Sequence, residues 1–69
     1  MTNTIKFKAF CIERYKYKHN MRGKETLYLF NQYGVMDYIG EFYDELHTYG
    51  DNYIVEDIDQ FIAERRQDL

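Results

Sequence analysis

A single cysteine, Cys11, in a chain of 69 residues removes disulfides from the means by which so small a domain can hold itself together. The remaining routes are metal, oligomerisation or dense apolar packing. Eight tyrosines and five phenylalanines point to the last, since each aromatic can bury roughly 150–250 Å². The chain is too short to divide into two self-sufficient cores, so residues 1–69 form one domain. A lone thiol also fits a reducing compartment. The opening MTNTIKFKAF alternates lysines with apolar residues, unlike a secretory signal, and no stretch approaches a membrane span. The expectation is a soluble, cytoplasmic protein that makes no membrane contact.

The chain contains no proline, so asparagine and glycine supply the punctuation. Asn20 to Gly23, Gly34 and Gly50 to Asn52 separate four segments. The first, about 5–19, shows two periods. Ile5, Phe7 and Ala9 alternate with Lys6 and Lys8 as in a strand, whereas Ile5, Ala9 and Ile12, and Phe7, Cys11 and Tyr15, form two helical lines. With no convincing partner strand elsewhere, the segment is read as a helix buried on two sides and ending near His19-Asn20. The second, 24–33, carries Leu27, Leu29, Phe30 and Tyr33 and stops at Gly34, a residue suited to the left-handed position after a helix. The third, 35–46, is the most regular: Val35, Ile39, Phe42 and Leu46 make an apolar stripe opposite Asp37, Glu41, Asp44 and Glu45. The fourth, 53–66, places Ile54, Ile58, Phe61 and Ile62 on one face, with Arg65 and Arg66 in its last turn and Asp51 or Asn52 as its cap. Its start, Tyr53-Ile54-Val55, is β-prone and stays open between helix and extended chain. The fold class expected is all-α, a compact bundle of three to four short helices, monomeric or homodimeric.

Residues 1–24 carry seven bases against Glu13, a balance of +6, while residues 25–69 carry eleven acids against Arg65 and Arg66, a balance of −9. The basic part suggests nucleic acid, with Lys16, Lys18, Arg22 and Lys24 as phosphate contacts and Tyr15 and Tyr17 as stacking rings. The acidic remainder would repel phosphate. A plainer account has the two halves facing each other, or attracting an oppositely patterned protein.

Cys11, His19 and His47 are too few, and wrongly spaced, for a structural zinc site, which needs four ligands. Neither metal nor cofactor is expected. Cys11, between Phe10 and Ile12, reads as core rather than nucleophile. The corner His47-Thr48-Tyr49-Gly50 reads as structural: His47 covers helix carbonyls, Thr48 supplies a hydroxyl, and Gly50 turns with positive φ. There is no serine, and Gly23-Lys24 lacks the upstream glycine of a phosphate loop. The chain is read as a binding protein without an active site.

Gly23-Lys24-Glu25, Phe30 to Val35, Asp37-Tyr38-Ile39, Leu46-His47-Thr48 and Tyr53 to Ile58 together resemble a bacterial family known as domain of unknown function thirty-seven ninety-one. The resemblance covers nearly the whole chain. Arg22 departs from it, standing where the family tends to have a serine able to cap the second helix. The resemblance implies genes lying beside ADP-ribosyltransferase-like toxins, and so an antitoxin or accessory role. The protein-binding residues expected on charge and exposure are Tyr38, Glu41, Asp44 and Glu45. The alternative from another class is a helix-turn-helix-like nucleic-acid-binding regulator built on the second and third helices.

Overall fold

The computed structural model describes residues 2–67. Helices α1 (Thr2–Lys18), α2 (Gly23–Tyr33), α3 (Val35–Glu41), α4 (Tyr43–Leu46) and α5 (Asp51–Gln67) pack into a bundle of 31 × 24 × 20 Å. The all-α expectation holds, with four helices of seven residues or more and one four-residue turn. α1 lies against α2, α3 and α5, so the first and last helices meet.

The core follows from the apolar periods. Cys11 and Tyr15 of α1 meet Phe30 of α2, Val35 and Ile39 of α3, Leu46 of α4, and Ile54, Val55, Ile58 and Ile62 of α5. Ile54 and Val55 are adjacent and both buried, which a helix wedged between two neighbours allows. The β-prone start of the fourth segment is therefore helical, its local preference overridden by burial.

Several expectations are corrected. α1 is not buried on two sides: the line through Phe7, Cys11 and Tyr15 faces the core, whereas Ile5 is 62% exposed and Ala9 is exposed. One helix face suffices because α2, α3 and α5 all approach from that side. The third segment is not one helix. It breaks at Phe42 (φ −106°, ψ 26°), because the consecutive rings Phe42 and Tyr43 pack on different elements, Phe42 on Tyr38 and Tyr43 on Phe7 of α1. The hydrogen bonds survive the bend: Phe42 N–H donates to the Tyr38 carbonyl, and the Phe42 carbonyl accepts from Leu46. Phe42 itself is 41% exposed rather than core.

The helix ends show how backbone groups are satisfied. Gly34 (φ +70°) closes α2, its N–H donating to the Phe30 carbonyl, and α3 begins at the next residue. Asn20 (φ 54°) makes the turn after α1, a conformation asparagine tolerates. Arg22 has no side-chain acceptor, but its N–H donates to Glu25 Oε1 at 2.9 Å, one half of a capping box. Thr26, fully buried, donates its hydroxyl to the Arg22 carbonyl. Gly50 does not adopt positive φ; its carbonyl accepts from Ile54 N–H and so opens α5. Asp51 is thus already helical and not a cap, and its carboxylate serves elsewhere.

Candidate interaction surface

α5 carries Asp57 and Asp59 on either side of the buried Ile58, and each accepts a short bond from a tyrosine of a different helix. Tyr15 of α1 donates to Asp59 Oδ1 at 2.6 Å, and Tyr38 of α3 donates to Asp57 Oδ2 at 2.6 Å. His19 adds its Nε2 to Asp59 Oδ2 at 2.9 Å and lies against the Tyr15 ring. Tyrosine, aspartate and histidine in one cluster resemble acid-base machinery, but their hydrogen bonds tie α1 and α3 to α5. Burial, then the hydrogen bond to Asp59 and its charge, push the Tyr15 phenol above the usual range, against a smaller opposing effect of Arg66. Burial, then the bond to Asp57 and its charge, do the same at Tyr38.

These phenols should make the protein sensitive to alkali. The folded state holds both protons to higher pH than the unfolded chain, so their stabilisation is complete below the ordinary phenol pKa of about 10. It is lost as the pH climbs through the raised folded values. Ionisation of Tyr15 and Tyr38, followed by the NMR shifts of their rings, should therefore coincide with loss of helical circular dichroism. Ionisation of both phenols at about pH 10 with the helix intact would contradict the two bonds.

Charge opposition between the two halves operates along the seam of α1 and α5. Arg14 pairs with Asp51 at 3.3 Å, and Lys18 donates to Asn52 at 2.8 Å. Lys16 pairs with Glu13 on its own helix at 3.3 Å. Of the four bases considered for phosphate, Lys18, Arg22 and Lys24 are exposed and join no ion pair among the described residues, Lys18 being engaged with Asn52. Tyr15 is buried and so unavailable for base stacking, whereas Tyr17 is 79% exposed. α2 and α3 are joined through Gly34 alone, shorter than the three or four residues usual in a helix-turn-helix, and α3 presents Asp37 and Glu41.

Cys11 is sealed in the core, where burial pushes its thiol up to about 12. Alkylation of Cys11 by iodoacetamide at neutral pH should proceed only through unfolding and accelerate in parallel with urea-induced loss of helix. Rapid labelling of the fully helical protein would refute its burial. At the corner after α4, His47 Nδ1 donates to the Tyr43 carbonyl at 2.7 Å, its ring stacks on that of Tyr43, and Thr48 donates to the Glu45 carbonyl at 2.7 Å, whereas Gly50 lacks the positive φ expected of it.

Two groups of packed rings meet at the kink at Phe42. Phe42, Tyr38 and Phe61 form a ladder with centroid spacings of 5.3 and 4.1 Å, and Tyr43, Phe7 and Phe10 continue on the other flank at 5.4 and 6.2 Å. Glu41, Asp44 and Glu45 surround the kink, all exposed and in no ion pair among the described residues. Of the residues singled out for protein binding, these three are exposed. Tyr38 is half-buried, its ring against Phe42 and Phe61 and its hydroxyl committed to Asp57.

The family model described as protein of unknown function DUF3791 matches residues 6–65. The chain belongs to this family. The match takes in every helix that contributes to the DUF3791 core, from Phe7 and Cys11 to Ile62, and both aspartates of α5. Neither a curated protein nor a solved structure matches the chain significantly.

Sequence reasoning missed the roles of Asp57, Asp59 and Thr26, and the exposed ring of Phe42. The only signal for the first two was an isoleucine flanked by two aspartates inside an apolar period, a place where carboxylates need partners. Among the described residues, no helix is long and apolar enough to cross a membrane.

Proposed function

We propose that the chain is a non-enzymatic protein-interaction module that acts in the cytoplasm as the antitoxin or accessory partner of a toxin-like ADP-ribosyltransferase. The observation that supports the interaction reading is the exposure of Glu41, Phe42, Asp44 and Glu45 around the kink between α3 and α4, the three carboxylates being in no ion pair among the described residues. Exposed aromatics ringed by carboxylates suit an interface in which buried rings anchor and charge sets orientation. The transferase as partner comes from the family resemblance alone. The acid-base groups that could suggest catalysis are occupied in ties between helices, which supports binding over chemistry.

The test is a pull-down of the tagged full chain from native cells, with and without nuclease, combined with co-expression beside a neighbouring transferase-like protein. A stoichiometric protein that survives nuclease, together with rescue of growth, is the expected result. Recovery of nucleic acid alone, or of nothing, would remove the proposal. The second reading, a nucleic-acid-binding regulator, draws on exposed Arg22 and Lys24 and on Tyr17. It requires retention on DNA or RNA at low ionic strength that weakens steeply with salt.

A further inference from the structure

The line through Phe7, Cys11 and Tyr15 fixes α1 against α2, α3 and α5, which leaves the other apolar line of this helix, Ile5, Ala9 and Ile12, turned outward. Ile5 is 62% exposed, Ala9 is exposed, and Ile12 is half-buried at the edge of the core. Spacings of four and three put these side chains in one row, the pattern by which helices meet. On one flank of the row stand Lys6 and Glu13, both exposed, seven positions and hence two turns apart. Glu13 pairs with Lys16 of its own helix at 3.3 Å, its side chain still 67% exposed, and Lys6 joins no ion pair among the described residues.

We propose that this row is the contact between two copies of the chain, α1 against α1 in antiparallel order. When two identical helices run antiparallel, equal flanks face each other and the chain order reverses. Lys6 of each copy then meets Glu13 of the other, and Ile5 meets Ile12. The two Ala9 side chains lie beside the twofold axis, where their small size lets the backbones approach. A parallel pair would leave Lys6 and Glu13 about 10 Å apart along the axis. Charge selects the second copy over other occupants. A uniformly basic or acidic surface would meet one charge of its own sign on this flank, whereas the same helix reversed offers the opposite sign at both places. One helix pair covers less than the roughly 1,200–2,000 Å² of stable complexes, so the dimer forms and dissociates with concentration. This self-association is independent of the partner proposed above.

The experiment is sedimentation of the full chain from about 10 µM to about 1 mM, with NMR on a mixture of isotope-labelled and unlabelled chains. The average mass should climb toward that of a dimer with concentration, and cross-relaxation between chains should link the methyl groups of Ile5 and Ile12. A9R should leave the chain monomeric throughout. K6E and E13K, each alone, should weaken dimerisation by about tenfold, because two attractions become two repulsions. Mixing these two variants, or combining both changes in one chain, should restore it, since opposite charges then face each other again. All the changes fall on exposed positions, and circular dichroism establishes that the helices are kept. A monomer at every concentration, a dimer that A9R leaves intact, or K6E and E13K chains that fail to associate when mixed would overturn the proposal. So would cross-relaxation located at the kink between α3 and α4, or a monomer whose Ile5 shifts only on anionic lipid vesicles. The contact would then be another surface in the first case and a membrane in the second.

Discussion

Phe30→Ala is expected to remove about half or more of the protein's stability. Phe30 is fully buried, and its ring meets that of Tyr15 edge-on at 5.2 Å. Truncating a buried phenylalanine costs about 3–5 kcal/mol through lost transfer energy and the cavity left behind. A domain of this length has roughly 3–10 kcal/mol in total at typical values per residue. The loss extends further, since Phe30 supports the ring whose hydroxyl reaches Asp59. Urea titration followed by circular dichroism is the measurement, with Leu27→Ala as control. Leu27 lies three residues earlier on the same helix but is 44% exposed, and its loss should cost less than about 1 kcal/mol. Equal costs for the two variants would mean that α2 presents a different face to the core.

Asp59→Ala should produce the second large effect, about 2–3 kcal/mol, because one carboxylate serves both the Tyr15 hydroxyl and His19. At this chain length each kcal/mol corresponds to a fall of about 4–8 °C in Tm. Tyr15→Phe alone should cost less, near 1 kcal/mol, as it removes the donor and leaves a half-exposed carboxylate that water can serve. In the Asp59→Ala background the same tyrosine change should become neutral or stabilising, since it then removes an orphaned hydroxyl. A double-mutant cycle measures this directly. Additive costs in the cycle would show that Tyr15 and Asp59 do not interact.

The sequence revealed the fold wherever a helical period ran uninterrupted: Val35 with Ile39, Ile54 with Ile58 and Ile62, and Phe7 with Cys11 and Tyr15 all face the core. Gly34 marked a helix end for a local steric reason, and local reasons are legible in sequence. What escaped was set by neighbours distant in the chain. The period through Phe42 predicts continuous helix, yet Tyr43 packs on Phe7, thirty-six positions earlier, and the chain bends to serve both rings. Thr26 is polar by composition, but its hydroxyl finds the Arg22 carbonyl and so it can be buried. Ile5 and Ala9 matched a helical line as well as Phe7 and Cys11 did, and only the side from which α2, α3 and α5 arrive distinguishes them. Within the candidate site, Glu41, Asp44 and Glu45 were legible because charge opposite an apolar stripe must face water. The part played by Tyr38 was not, since its partner Asp57 lies on another helix.

The contact between α1 and α5 makes the order of synthesis matter. Among the described residues, four of the ten buried apolar side chains, Ile54, Val55, Ile58 and Ile62, come from α5, and Asp59 closes against Tyr15 across 44 positions. During synthesis α1 through α4 therefore cannot complete their core before α5 is made. A copy without α5 leaves Phe30, Val35 and Ile39 short of much of their core and the hydroxyls of Tyr15 and Tyr38 without their carboxylate acceptors.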